Sequence, residues 1–205
     1  MKEKNSTPDA DKRILHAARE LFIQKGYDGT SIRDIAAASG TNVAHIKYYF
    51  NSKYNLFEII FDEAFDTLIN KVLDTLSSDM PFFELIESWI NIYYELLPQY
   101  PQIPVFILNE ANRGPDALVK RLIERNPQRI FTILSDRIDE AVKEGIIKET
   151  PAIDFGLNVL SLCLFPFMFA KFATKIADKS IDEYNEMMQK HKEYVIAFVI
   201  NALKN

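Results

Sequence analysis

Apolar residues recur along most of this chain at intervals of three and four rather than two, the spacing of one face of a helix. Ile14, Ala17, Ala18, Leu21 and Phe22 mark a first helix over about residues 9–25. Gly26 follows, where a left-handed residue ends a helix without steric cost, and Asp28-Gly29 reads as a turn. A short second helix over about 31–38 opens with Ser31 and Asp34 at capping-box spacing and places Ile32, Ile35 and Ala36 on one face. Gly40 ends it. A third short helix, about 43–49, has Asn42 in the N-cap slot, Ile46 as its main buried residue and Phe50 just beyond its end. Ser52 caps a long fourth helix over about 53–76, whose Leu56, Phe57, Ile60, Ala64, Leu68 and Val72 give a continuous apolar face.

Further along, Pro81 stands at a first-turn position of a helix over about 81–97. "PQYPQIP" is a joint. The next helix, about 104–113, is stopped by Gly114-Pro115. The spacing then predicts a helix from about 116 to 143 with a break or kink at Pro127, one over 151–175 kinked at Pro166, and a last one over 181–203. The expected fold is all-α, with about nine helices: a three-helix head, 1–54, joined through the fourth helix to a larger helical body, 55–205.

Composition narrows the setting. The single cysteine, Cys163, excludes an intrachain disulfide and a cysteine-based metal site, and fits a reducing compartment. The N-terminus, MKEKNSTPDADKR, has no signal-peptide core. The most apolar stretch, Phe155 to Ala170, is short for a membrane span and interrupted by Asn158, Ser161 and Pro166, so it reads as a buried helix. A cytoplasmic protein without membrane attachment is expected. His16, His45 and His191 fall in three different helices, with no His-x-x-x-His or Glu-x-x-His pair and no glycine-rich phosphate loop. Nothing assembles an enzyme's active site, and no metal or cofactor is expected.

Charge separates the two parts. The net charge is −5, yet residues 1–55 carry nine Lys/Arg against six Asp/Glu and the remaining residues fifteen against twenty-three. A mildly basic head on an acidic body is the local footprint that nucleic-acid binding requires. Two short helices joined by a glycine-containing turn form a helix-turn-helix, whose second helix enters the major groove with its N-terminal residues toward the base edges. Asn42, Val43, Ala44, His45 and Lys47 are the exposed residues expected there. Ala44 allows close approach, Asn42 and His45 donate and accept, and Val43 suits a thymine methyl. Tyr48, Tyr49 and Lys53 suit the phosphate backbone, with Thr30, Ser31 and Arg33 gripping the neighbouring backbone. Lys53 stands in the first turn of a helix, where a cation opposes the macrodipole and a nearby phosphate would compensate. The alternative is a helical ligand- or protein-binding module whose head meets a protein instead of DNA.

The stretch "TSIRDIAAASGTNVAHIKYYFNSKYNLF", residues 30–57, closely resembles the signature of the TetR family of transcriptional regulators. With the preceding helix, its Leu21-Phe22 and Gly26-Tyr27, the resemblance covers about residues 10–60. It implies that Asn42 caps the recognition helix and touches phosphate, that Val43, Ala44 and His45 read bases, that Tyr48 and Tyr49 contact backbone, and that Lys53 is the phosphate-binding lysine. Lys47 and Tyr49 depart from the family's common Tyr and His, so contact chemistry there differs. The resemblance also implies a homodimer on a palindromic operator, most often a repressor, released by a small-molecule effector.

For the body, the expected dimer surface uses Leu160, Phe167 and Met168 of the penultimate helix and Tyr194, Phe198 and Val199 of the last. The expected effector pocket is walled by Trp89, Tyr93, Phe106, Phe131 and Phe165, with Asn109, Glu110 and Arg113 as polar anchors, and suits an apolar or aromatic molecule.

Overall fold

The computed structural model describes residues 10–113, 120, 123–126 and 128–204. Nine helices lie among them: α1 Ala10–Lys25, α2 Ile32–Ser39, α3 Val43–Phe50, α4 Lys53–Leu76, α5 Phe82–Leu96, α6 Gln102–Arg113, α7 Gln128–Lys143, α8 Ala152–Ala177 and α9 Ile181–Leu203. The all-α architecture is as the periodicity predicts. Most of the 116–127 stretch of the expected seventh helix, Pro127 included, lies outside the described residues; Lys120 and Ile123 within it are helical, and a further helix runs over Gln128–Lys143. The chain forms two compact units, which divide between Phe65 and Asp66, within α4.

In the first unit α1 packs on α2 and α3. Its core is Ile14, Ala18 and Phe22 of α1, Ile35 of α2, Ile46 of α3, and Leu56, Phe57, Ile60 and Phe61 of α4, all nearly or wholly inaccessible. Phe57 meets Phe22 edge-on at 5.3 Å between centroids and Tyr27 at 5.0 Å. Such aromatic contacts contribute about 0.5–1.5 kcal/mol beyond the area they bury. Arg19 of α1 pairs with Glu63 of α4 at 2.5 Å.

The second unit is built around α5, a helix buried on most of its circumference: Leu85, Ile86, Trp89, Ile90, Tyr93, Tyr94 and Leu97 all point into protein. Both α8 and α9 pack on it, α8 also meets α7 and α6, and α9 lies along α8. Arg125, just ahead of α7, pairs with Asp66. Arg137 ties the turn after α4, its Nη1 donating to Ser78 O at 3.2 Å and its Nη2 to Met80 O at 2.5 Å. Pro166 lies inside α8 without ending it, and the Tyr184 hydroxyl of α9 donates to the Pro166 carbonyl at 2.8 Å.

Length and composition alone would let α8 cross a membrane. Its buried stripe, Phe155, Val159, Cys163, Phe167 and Ala170, instead belongs to the core of this unit. Cys163 is fully buried, and desolvation pushes its thiol up to about 12, so it is an inert packing residue.

Gly156 of α8 is buried against α7. A Cβ there would stand 3.3 Å from Leu134 Cδ2 and 3.7 Å from Phe131 Cε1. Both neighbours are side-chain ends that can yield slightly. Gly156→Ala is therefore expected to leave stability within about 1 kcal/mol of wild type, because its better helix propensity offsets the tighter contact. Gly156→Leu should lose about 1–3 kcal/mol by overpacking, both read by urea unfolding.

Candidate nucleic-acid interface

The α2–turn–α3 unit is set by local chemistry. At the start of α2 the Ser31 Oγ accepts from Asp34 N at 3.1 Å, and an Asp34 carboxylate oxygen accepts from Ser31 N at 2.9 Å and from Ser31 Oγ at 2.7 Å. This reciprocal box satisfies two amides that a helix start leaves unpaired. The Ser31 hydroxyl, then its backbone N–H, hold the Asp34 carboxyl below its ordinary range. At the other end Gly40 adopts φ 63°, the left-handed region open to a residue without Cβ. Its N–H donates to Ala37 O, and that of Thr41 to Ala36 O. Asn42 then caps α3, its Oδ1 accepting from His45 N at 2.8 Å.

Ile46 and Phe50 anchor α3 inward. The opposite face is open: Ala44, His45, Lys47, Tyr48 and Tyr49 are exposed, as is Asn42, and Val43 is half-buried. Tyr48 is 73% accessible, far more than packing would leave an aromatic ring, and it meets the Tyr49 ring edge-on at 5.1 Å between centroids. Arg33 on α2 is also exposed. These residues therefore form one continuous polar and aromatic surface on two rigid helices.

Two of the residues expected at this surface are placed differently. Thr30 is buried, 1% accessible, and its hydroxyl donates to Gly26 O at 2.8 Å and to Leu21 O at 3.1 Å. It fastens the end of α1 rather than presenting a hydroxyl to a ligand. Lys53 is half-buried. Its Nζ donates to Tyr27 O and Thr30 O, both at 2.9 Å, and lies 4.0 Å from the centre of the Tyr27 ring. A cation at the start of α4 thus has a local reason: two backbone carbonyls and an aromatic face compensate it. Ser31 is exposed, but its hydroxyl is engaged in the cap.

The body residues expected to wall a pocket do not gather into one site. Trp89, Tyr93 and Phe106 are buried, whereas Asn109, Phe131 and Phe165 are exposed, and the side chains of Glu110 and Arg113 lie outside the described residues. The cause is helical phase: on α8 the Phe155–Val159–Cys163–Phe167 stripe faces the core, which turns Phe165 outward. An open cleft of about 460 Å³ lies instead by Pro81, Phe83, Arg137 and Glu140. Among the expected dimer residues, Phe167 and Val199 are buried in the chain's own core, Leu160 and Met168 are half-buried, and Tyr194 and Phe198 are exposed at 76% and 65%. Phe169, Phe172 and Ile176 extend the outward apolar face of α8, as Met187 does that of α9.

The fold and the exposed second helix of the α2–α3 unit define a helix-turn-helix protein. A sequence model of the "Bacterial regulatory proteins, tetR family" matches residues 14–60. The chain is 31% identical to the biofilm operon icaADBC HTH-type negative transcriptional regulator IcaR of Staphylococcus aureus, across 80% of this chain and 85% of that protein. It is 26% identical to the "Probable HTH-type transcriptional regulator YttP" of Bacillus subtilis, across 98% of this chain and 92% of that one. Its fold matches that of the TetR family regulator PfmR from Thermus thermophilus, with TM-score 0.64, 22% identity and coverage of 90% of this chain and 97% of that one. The chain belongs to the TetR family, and it is a DNA-binding transcriptional regulator.

Thr30 and Lys53 make a testable pair. Thr30→Val leaves the carbonyls of Leu21 and Gly26 without that donor, and Lys53→Met removes the ammonium while keeping the apolar stem. Each is expected to lower stability by about 1–3 kcal/mol in urea unfolding, with no DNA present.

Proposed function

We propose that this regulator reads its operator with the N-terminal half of α3 and holds the DNA backbone with the residues around it. The observation that carries the reading is the outward face of α3, where polar and aromatic side chains stand exposed on a helix fixed from behind by Ile46 and Phe50. Val43, Ala44 and His45 address base edges. Asn42, Lys47, Tyr48, Tyr49 and Arg33 address phosphate. Ser31 and Thr30 contribute by fixing the start of α2, and Lys53 by fixing the connection behind it, with one ammonium proton left for a phosphate. In this reading residues 1–54 are the DNA-binding domain and residues 55–205 the ligand-binding and dimerisation domain.

The active form is a homodimer on a palindromic site, since one head covers too little duplex for selectivity. Support comes from Leu157, Phe165, Phe169 and Phe172 on α8 and Tyr194 and Phe198 on α9, large apolar side chains that the chain itself leaves uncovered. Regulation is repression, released by a small apolar or aromatic effector in the body. The name of IcaR, a negative regulator, favours that sign. The Tyr94 hydroxyl favours an effector: it is buried with no hydrogen-bond partner among the described residues, beside Phe167 and His191. The effector acts only as far as it binds one spacing of the two heads more tightly than the other. The setting is the cytoplasm, with no enzymatic step.

Selection of duplexes from a random pool tests this reading. The expected product is a palindrome, with half-sites one helical turn or a multiple apart, bound with an affinity that falls steeply with salt. His45→Ala should change the preferred base within each half-site, while Tyr48→Phe should weaken all duplexes alike. A wild-type protein that enriches no sequence contradicts the reading.

A further inference from the structure

A head that grips a duplex needs cations facing phosphate on both sides of its reading helix, because neutralising phosphates supplies essentially all of the sequence-independent affinity. Two cations of this head are already engaged within it. Arg19 is paired with Glu63, and Lys53 is held by two carbonyls. Arg13, near the start of α1, is exposed and makes no hydrogen bond or ion pair among the described residues. It lines a cleft of about 380 Å³ with His16, Glu20, Gln24, Ala38 and Ser39. Its Nη1 is the one heavy atom within 4 Å of where a Cβ of Gly40 would stand, at 4.0 Å. Gly40 ends α2, and two residues later Asn42 caps α3. The guanidinium therefore lies across the turn that delivers the N-terminus of α3.

We propose that Arg13 is a further DNA-contacting residue, donating to a phosphate that flanks the groove α3 enters. The proposal rests on the DNA-reading role given above to α3. A cation at the C-terminal end of a helix can instead serve the helix dipole. Here the turn closes without it: Ala36 O and Ala37 O accept from Thr41 N and Gly40 N, and Ile35 O accepts from the Ser39 hydroxyl at 2.7 Å. Glu20 shares the cleft but makes no ion pair with Arg13. The Arg13 donors make no hydrogen bond among the described residues, and its planar fork, carried on a helix that packs against α2 and α3, matches a phosphate's oxygens. The absence of a side chain at Gly40 keeps the approach open.

The test uses a duplex enriched by the wild-type protein and an unrelated duplex. Affinity for both is measured against salt for wild type, Arg13→Gln and Arg13→Lys, alongside thermal unfolding of each. Arg13→Gln is expected to weaken both duplexes by a similar factor and to flatten the slope of log affinity against log salt by about 0.9 for each head bound. Arg13→Lys should keep the slope, and all three proteins should melt together. A lower melting temperature for Arg13→Gln with affinity and slope unaltered would show a helix-end role and overturn the proposal. Loss of affinity for the enriched duplex alone, at unchanged slope, also overturns it. If wild type enriches no duplex, the reading role of α3 falls, and this contact falls with it.

Discussion

The connection from α1 to α2 carries backbone carbonyls outside any helix ladder, and in the head of this protein side chains answer several of them. The solution is a knot of side-chain donors. The Thr30 hydroxyl serves Leu21 O and Gly26 O, and the Lys53 ammonium serves Tyr27 O and Thr30 O. Lys53 is the first residue of α4, so the same contact joins the start of that helix to the loop between α1 and α2. The Tyr27 ring closes the knot from one side, against Lys53 Nζ and Phe57. With the loop immobilised, the Ser31–Asp34 box can start α2 in one direction only, and Gly40 and Asn42 pass that direction on to α3. The exposed face of α3 inherits its orientation from donors that never reach the surface.

Much of this was legible in the residues, for a physical reason. Caps and helix ends are local: Ser31 with Asp34, Gly40, Asn42 with His45 are partners within a few positions of one another. The resemblance of residues 30–57 to the TetR signature then supplied the function that periodicity alone left open between DNA and a protein partner. What sequence reasoning misplaced involves partners far apart. Lys53 finds its carbonyls 23 and 26 residues away, so its neighbours in sequence offer no compensation for a cation at a helix start, and a phosphate is the partner the pattern suggests. Thr30 looks like a free hydroxyl at a helix entry, because its acceptors are backbone carbonyls, Leu21 O near the end of the preceding helix and Gly26 O just past it, which no side-chain pattern marks. Tyr27, an aromatic just past a helix-ending glycine, is well placed to shield the Lys53 cation, a role that its position in the family signature does not reveal.

The body shows the opposite limit. Its α8 is apolar on nearly every side, so the pattern marks a buried helix without saying which side is buried. The structure chooses Phe155, Val159, Cys163 and Phe167 for the core and leaves Phe165, Phe169 and Phe172 outside. Residues singled out by bulk alone were therefore divided between the two faces: Phe167 left the expected interface, and Phe165 left the expected pocket. Aromatic bulk by itself carried no information about cavities. The Tyr94 hydroxyl, buried with no hydrogen-bond partner among the described residues, says more about where a polar atom of another molecule would be welcome.

The central claim is that α3 is the reading element and that the knot behind it sets its direction. A crystal structure of the protein bound to its selected duplex tests this most directly. The account predicts α3 in the major groove, with Val43, Ala44 and His45 against base edges and Lys53 still bonded to the carbonyls of Tyr27 and Thr30. A specific complex in which α3 faces away from the duplex, or in which Lys53 leaves those carbonyls and the head keeps its shape, would contradict it.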